Sequence, residues 1–392
     1  MQTRIIYVSV LVLLVVAASP LAAIDFGGTV GNTSEVFVPL EDGDVSYGQG
    51  NRVSMFISHA FSPALEFRAR GRYEYRLDTV LDGDSDPEID WFQGDLDAFY
   101  IDGRYAVEDT TRYFFDFRAG RFRLRDFSGV LLNERADGAR ISFETGPGDL
   151  TLAGGYTGLL LKESSNLLLS RADVGDSADD DVYFAPPRAL GVFELSLPEI
   201  FGRQSINVTL IGQGDLRPES DLQDDQGHVH TVYYGGGLTG PLAPRLYYDV
   251  YGYFGGGTRI GDPSGLARQV PIRSYLAGAN LEYFIPDFAQ SAFSLGYLYS
   301  SGDADHENLY QSDGEGASEM FVGLTPPSFG TVFSPRLGNL MVTDFSYSIK
   351  PFTRDDRSAI QEFQTELAVL GFFRPTTGVI SRPGARTSSD EL

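Results

Sequence analysis

Cysteine is missing from the 392-residue chain, tryptophan occurs once, and histidine and methionine four times each. Without thiols there is no disulfide framework, no thiolate nucleophile and no cysteine-rich zinc site. No serine sits in a Gly-x-Ser-x-Gly setting either, so the usual elbow of a serine hydrolase is absent. Basic residues are scarce: 30 Lys and Arg stand against 54 Asp and Glu, for a net charge of -24. A chain this acidic, with no basic face, is not built for nucleic acid. Long apolar runs are absent beyond the first two dozen residues, whereas a membrane-spanning helix needs about 20 apolar residues.

The one apolar run lies at the start. Arg4 gives a positive beginning, Ile5 to Ala18 is apolar apart from Ser9, and Ser19-Pro20-Leu21-Ala22-Ala23 ends in small residues. That is the layout of a secretory signal peptide, so residues 1–23 read as a cleaved export signal and 24–392 as the mature chain. The mature part has no linker and no change of texture. It is rich in Gly (45), Phe (28) and Tyr (21). A single large β architecture in the outer membrane of a diderm bacterium is the expectation.

Alternation supplies the fold class. From Leu65 to Leu77 one face reads Leu65, Phe67, Ala69, Gly71, Tyr73, Tyr75, Leu77, and the other Glu66, Arg68, Arg70, Arg72, Glu74, Arg76. A tilted strand needs about 9–11 residues to cross a bilayer, and this run exceeds that. The same period of two recurs at Ile206–Gln213, Tyr275–Tyr283, Phe293–Tyr299, Thr343–Lys350 and Phe363–Phe373. About fifteen such strands are predicted, the first near Phe26–Val38. The fold class is therefore all-β, a transmembrane antiparallel up-and-down β-barrel.

Connections alternate in length. Short ones are expected near Phe61–Ala64, Ala106–Thr110, Gly146–Asp149, Pro198–Arg203, Gly240–Pro244, Pro286–Gln290 and Phe352–Arg357. Long ones are expected near Leu40–Gly50, Thr79–Phe92, Asp126–Glu134, Leu161–Pro187, Asp215–Gly227, Gly257–Val270 and Gly302–Leu340. Short turns on one rim and long loops on the other are the asymmetry of outer-membrane barrels. The acidity sits in the loops, because residues 79–92, 162–186, 215–227 and 302–320 carry -19 of the net charge. An odd strand count leaves the edge unpaired, and single-chain barrels of this kind have an even number. A miscount by one, or a C-terminal strand lying beyond Leu392, accounts for this, and the latter is the expectation.

Gly120-Arg121-Phe122, followed by Arg135-Ala136-Asp137-Gly138-Ala139-Arg140, resembles the alginate-exporter family of outer-membrane barrels. So does Gly296-Tyr297-Leu298-Tyr299-Ser300-Ser301-Gly302-Asp303, with a long acidic loop and then Gly338-Asn339-Leu340. The resemblance spans about residues 110 to 350. It implies a porin or exporter of 16–18 strands when complete, and an acidic polysaccharide as solute.

The residues that carry chemistry are arginines. Arg68, Arg70, Arg72 and Arg76 share a strand face, and Arg118, Arg121, Arg123, Arg125 and Arg140 follow on the next elements. Arg118 and Arg121 can face the same side only if the backbone is irregular near Gly120. Arginine facing lipid at the midplane costs about 2–4 kcal/mol, which directs these side chains to a lumen or a rim. Two roles stay open: an anion path, or bracing of the wall against Glu66, Glu74, Asp116 and Glu144. Asp82, Asp84 and Asp86 imitate the start of a calcium loop, but Pro87 and Gln93 stand where such a loop needs glycine and glutamate. They are a weak metal candidate beside the plainer reading of a solvated loop. His228 and His230 alternate as metal ligands can, without a third partner fixed by sequence. No cofactor is expected.

The expected function is a channel or exporter for anionic or polar solutes. Its partners would be outer-membrane lipid and a small anionic or polysaccharide solute. Two other classes stay open: a barrel whose acidic loops bind a partner or divalent cations, and an outer-membrane hydrolase. The oligomeric state is not fixed by the sequence.

Overall fold

The computed structural model describes residues 24–37, 46–80, 88–107, 113–179, 181–218, 228–261, 268–303, 317–327, 329, 335–352, 360 and 363–377. The signal peptide, the Asp82, Asp84 and Asp86 trio and the tail after 377 lie outside the described residues.

Fifteen strands follow in chain order: β1 (Ile24–Phe37), β2 (Ser46–Ser62), β3 (Leu65–Val80), β4 (Glu88–Ala106), β5 (Phe114–Arg125), β6 (Asn133–Glu144), β7 (Asp149–Tyr156), β8 (Arg188–Phe201), β9 (Gln204–Asp215), β10 (His230–Ala243), β11 (Leu246–Gly261), β12 (Arg268–Ile285), β13 (Ser291–Ser300), β14 (Leu340–Ile349) and β15 (Thr365–Phe373). Each neighbours the next in one up-and-down sheet from β1 to β15. The fold class is all-β and antiparallel, of the transmembrane barrel type. Connections are short after β2, β6, β8, β10 and β12, where the turn residues foretell them, and long after β7, β9 and β13; β14 and β15 are separated by residues 350–364, so the turn expected at Phe352–Arg357 lies mostly outside the described residues. No helix among the described residues is long and apolar enough to cross a membrane.

The ladders reach further than alternation alone indicates. β2 starts at Ser46 and β4 at Glu88, both inside stretches that the sequence marks as loop. β11 and β12 likewise run to Gly261 and from Arg268. Pairing of backbone groups does not need an apolar face. Beyond the bilayer the ladder therefore continues under polar side chains that hide the period of two.

The strands form two compact units. One holds β1 to β4 and β5 as far as Arg123, with Asp137–Ala139; the other holds Leu124–Ala136 and the chain from Arg140. In the second unit, register turns the alternation into continuous apolar rows. Leu152, Phe193, Leu210, Tyr234, Phe254 and Tyr275 stand opposite one another on β7 to β12. Leu281, Leu295, Phe345 and Val369 do so on β12 to β15. All ten are exposed, Phe254 at 71%. Rows of large apolar side chains open to water would drive aggregation, whereas a bilayer solvates them. Leu295→Arg should therefore lower stability in lipid vesicles by about 2–4 kcal/mol, read from reversible denaturant unfolding. Arginine at the adjacent Ser294, on the opposite face, should change it by a small fraction of that.

The core of the second unit lies between the other face of its strands and the segments that follow β5, β7 and β13. Tyr233 and Tyr253 are 1% exposed. The Tyr233 ring centroid is 5.7 Å from that of Phe321, and its hydroxyl donates to the Val322 carbonyl. Tyr253 stacks on Phe127 at 5.7 Å and donates to Asp126 Oδ2 at 2.6 Å. Leu131, Leu132, Leu160, Leu167, Met320, Phe321 and Leu324 are fully buried there. Gly235 makes room for Tyr253, since a Cβ at that position would sit 2.4 Å from the ring. The long segment Gly302–Leu340 is thus held against the inner face where it is described. Its Thr325 N–H donates to the Leu131 carbonyl at 3.2 Å.

Candidate functional site

In the first unit, the face opposite Phe26, Val30, Met55 and Tyr73 carries the charges. Residues 66, 68, 70, 72 and 74 of β3 lie across from Ala60, Ser58, Phe56, Ser54 and Arg52 of β2. Most of the predicted arginines have identified neighbours. Arg68 donates to Glu66 at 2.9 Å. Arg72 lies within 3.9 Å of Glu74, 3.8 Å of Asp95 and 3.8 Å of Asp97. Glu74 is also gripped by Arg52, whose Nε and Nη2 donate at 3.0–3.1 Å. Arg118 sits 3.7 Å from Asp102 and 4.3 Å above the Tyr100 ring. Asp116 faces Arg104 at 3.7 Å, and Arg104 lies over Phe114 at 4.3 Å. Arg76 borders a cavity with Arg52 and Glu74.

Arg121 makes a two-pronged bond to Asp137, at 2.9 and 2.8 Å, and lies 3.6 Å from Asp95. It therefore converges with Arg72 on one carboxylate. The irregular backbone this demands is at Gly120, with φ +126. A Cβ there would come within 2.1 Å of the Phe99 carbonyl, so only glycine fits. Arg70 differs from the rest. It is exposed, stands across from Phe56 and Ala98, and has no ion-pair partner among the described residues. Arg140 and Glu144 belong to the second unit, where Arg140 Nε donates to Ser142 Oγ at 3.2 Å.

Alternation along β3 finds the arginine face but not its partners. Arg52, Asp95, Asp97 and Asp102 come from neighbouring strands, and only the register brings them opposite. The more exposed pairs, Arg52 with Glu74 and Arg68 with Glu66, contribute about 0–1 kcal/mol each, so at those positions the backbone ladder rather than the charges holds the wall. What the pairing does is leave the face close to electrical balance, with Arg70 unopposed.

The second unit contains a charge cluster that sequence reading missed. Residues 162–186 include α1 (Arg171–Ala178), capped by Ser170, whose Oγ accepts from Asp173 N while the Asp173 carboxylate accepts from Ser170 N. The Ser-x-x-Asp spacing was the available signal. Asp173, fully buried, accepts from Arg188 at 2.7 and 2.8 Å. Arg217 lies 3.2 Å from Asp173 and donates to Asp215 at 2.7 Å. Arg188 is 3.3 Å from Asp215. Burial works against the charge on Arg217, but its hydrogen bond to Asp215 and the carboxylates of Asp173 and Asp176 outweigh it, and its pKa is raised. Burial pushes the Asp176 carboxyl upward, with Arg217 opposing.

The histidines take structural partners. His228 Nε2 is 2.8 Å from the Arg217 carbonyl, and Asp215 N donates to His230 Nδ1 at 3.2 Å. Among the described residues no group of three or more His, Asp or Glu is placed to hold a metal ion.

No family model matches the sequence, and no curated protein matches it. Solved structures similar to it in chain path include OccK8 (OprE) of Pseudomonas aeruginosa, at 12% identity and TM-score 0.48, covering 89% of this chain and 84% of that one. OmpF of Salmonella typhi, in complex with daunomycin, is similar at 10% identity and TM-score 0.42, covering 89% and 97%. The outer membrane protein OmpT of Vibrio cholerae is similar at 10% identity and TM-score 0.31, covering 71% and 88%.

Proposed function

We propose that the protein is an outer-membrane channel that passes small polar solutes, anions in preference, along its charged face. The observation that carries this reading is the division between faces. Apolar rows stand exposed on one side of the strands, and a nearly balanced network of guanidinium and carboxylate groups lies on the other. A wall with lipid on one side and a wet, ionised interior on the other is what passive diffusion across a bilayer requires. The segments packed against the inner face of the second unit narrow the space a solute crosses. An acidic polysaccharide is the finer form of this proposal, and it rests on the strand-end motifs alone.

The test is direct. Protein refolded in detergent should migrate differently on gels before and after boiling, because a sheet with its backbone groups paired resists detergent. In planar bilayers it should give stepwise conductance in potassium chloride. Recovery as a soluble periplasmic protein, or a folded form that never conducts, would overturn the proposal.

A further inference from the structure

An open trough of about 490 Å³ lies on the outer face of β8 to β11, the face that carries the apolar rows. Its floor is Gly236 of β10 beside Gly252 of β11, with Val208 of β9 at one end. Ala277 of β12 continues the same ladder row to Tyr299 of β13. On one side stands the row of Phe193, Leu210, Tyr234 and Phe254, and on the other Leu238 and Val250. Phe254 is 71% and Tyr234 58% exposed, so both rise well above the floor. Neither floor glycine is required by the backbone or by packing on the inner side. Neither has a positive φ, and a Cβ would make only ordinary contacts, 3.5 Å from the Asn207 carbonyl oxygen at Gly236 and 3.4 Å from that of Leu276 at Gly252. Glycine weakens a strand, and where no turn or bulge needs it, it marks a place where something approaches the backbone closely. No charged side chain lines the trough, and Thr209 at its border donates its hydroxyl to the Phe193 carbonyl at 3.0 Å.

We infer that the trough is a binding site for one linear acyl chain of a membrane lipid, held there longer than the lipid around it. The site is continuous with the lipid-facing rows on either side, so acyl chains are the medium that reaches it. Between apolar surfaces in a bilayer there is no hydrophobic drive, and preference comes from packing. On a flat row a chain touches protein along one side. In the trough it touches the glycine floor and both walls at once, and each added atom pair contributes dispersion energy. A thin, flexible chain can follow a floor that slants across the strands. A second copy of this chain would meet the rim at Tyr234 and Phe254 first and leave the floor empty, and an unfilled gap forfeits those same contacts. With no charge and no unmet hydroxyl of Thr209, the trough selects the chain and is indifferent to the headgroup.

The probe is phosphatidylcholine with a diazirine midway along one acyl chain, present as a trace in vesicles of the same lipid that hold the folded, full-length protein. After irradiation, adducts mapped by peptide mass spectrometry should fall on residues 208–210, 234–236 and 252–254 about fivefold more often than on the flat row of Leu281, Leu295 and Phe345. Gly236→Leu with Gly252→Leu fills the floor and should bring the trough down to the level of that row. Phe254→Ala, which lowers one wall, should do so in part. Gly212→Leu lies beyond the aromatic row with open surroundings and should leave the pattern unchanged. Equal labelling of the two rows in the parent overturns the inference, as does trough labelling that survives the leucine pair in protein with the normal gel shift. A trough labelled less than the flat row, in protein that sediments as a dimer, also overturns it, because a second copy then covers the site. Bilayer conductance is a separate reading: protein that labels as expected and never conducts keeps the acyl-chain site and loses the channel.

Discussion

A channel carrying Arg70→Glu passes potassium in preference to chloride, whereas the unsubstituted protein favours chloride. The expectation follows from the charge balance of the first unit. Arg52 and Glu74, Arg68 and Glu66, Arg104 and Asp116, Arg118 and Asp102, and Arg121 and Asp137 oppose one another, and Arg72 is shared among Glu74, Asp95 and Asp97. Arg70 has no carboxylate against it among the described residues. One substitution there changes the local charge by two units without breaking an ion pair. At ~8 Å in water a unit charge acts on a passing ion by about 0.5 kcal/mol, so two units separate chloride from potassium by roughly 2 kcal/mol before screening. At about 0.1 M salt, screening should reduce this to a roughly fivefold change in permeability ratio. Reversal potentials in a potassium chloride gradient read it directly. Arg68→Glu with Arg72→Glu should shift the ratio in the same direction, with pairs broken as well. Neutralising Asp82, Asp84 and Asp86 to asparagine should alter it little, because the sequence marks them as loop charges, which open water screens. A potassium-selective parent whose ratio ignores Arg70→Glu would mean that the arginines only brace the wall.

Asp173→Ala should release α1 from the inner face while leaving the strands intact. Asp173 joins three functions in one buried carboxylate: it completes the helix cap, pairs with Arg188 and supports Arg217. Removing one partner of a buried pair costs about 3–5 kcal/mol, because the remaining charge stays buried and uncompensated. Loss of the reciprocal cap adds about 1 kcal/mol. The sheet does not depend on this segment for its ladder hydrogen bonds, so the cost should appear as local opening. Limited proteolysis followed by mass spectrometry should cut between Leu159 and Pro187 in the variant and not in the parent. Single-channel records should show larger or noisier open current. Asp173→Asn keeps a side chain that can accept hydrogen bonds but loses the charge, so an intermediate effect would show that charge and cap act separately. Parent-like cleavage and current in Asp173→Ala would show that α1 is held by its apolar neighbours alone.

The sequence by itself determined the fold class, the strand series and which face of each strand is apolar. These follow from a period of two, which belongs to the backbone and can be read within a dozen residues, as from Leu65 to Leu77. Turn residues placed the connections after β2, β6, β8, β10 and β12 by the same local logic, and the slip around Gly120 foretold its backbone. Tertiary structure decided the rest. Which carboxylate meets Arg72 or Arg118 depends on register between strands, and a shift of one residue would exchange every partner. Asp173, Asp215 and Glu319 read as solvated loop charges in sequence. The fold instead buries Asp173 and Asp215 against Arg188 and Arg217 and lays the segment around Glu319 along β12, where Ser318 N donates to the Pro271 carbonyl at 2.8 Å. Such contacts join residues far apart in the chain, and no local pattern encodes them. A loop's own composition gives its charge, but burial is set by the surface that it meets.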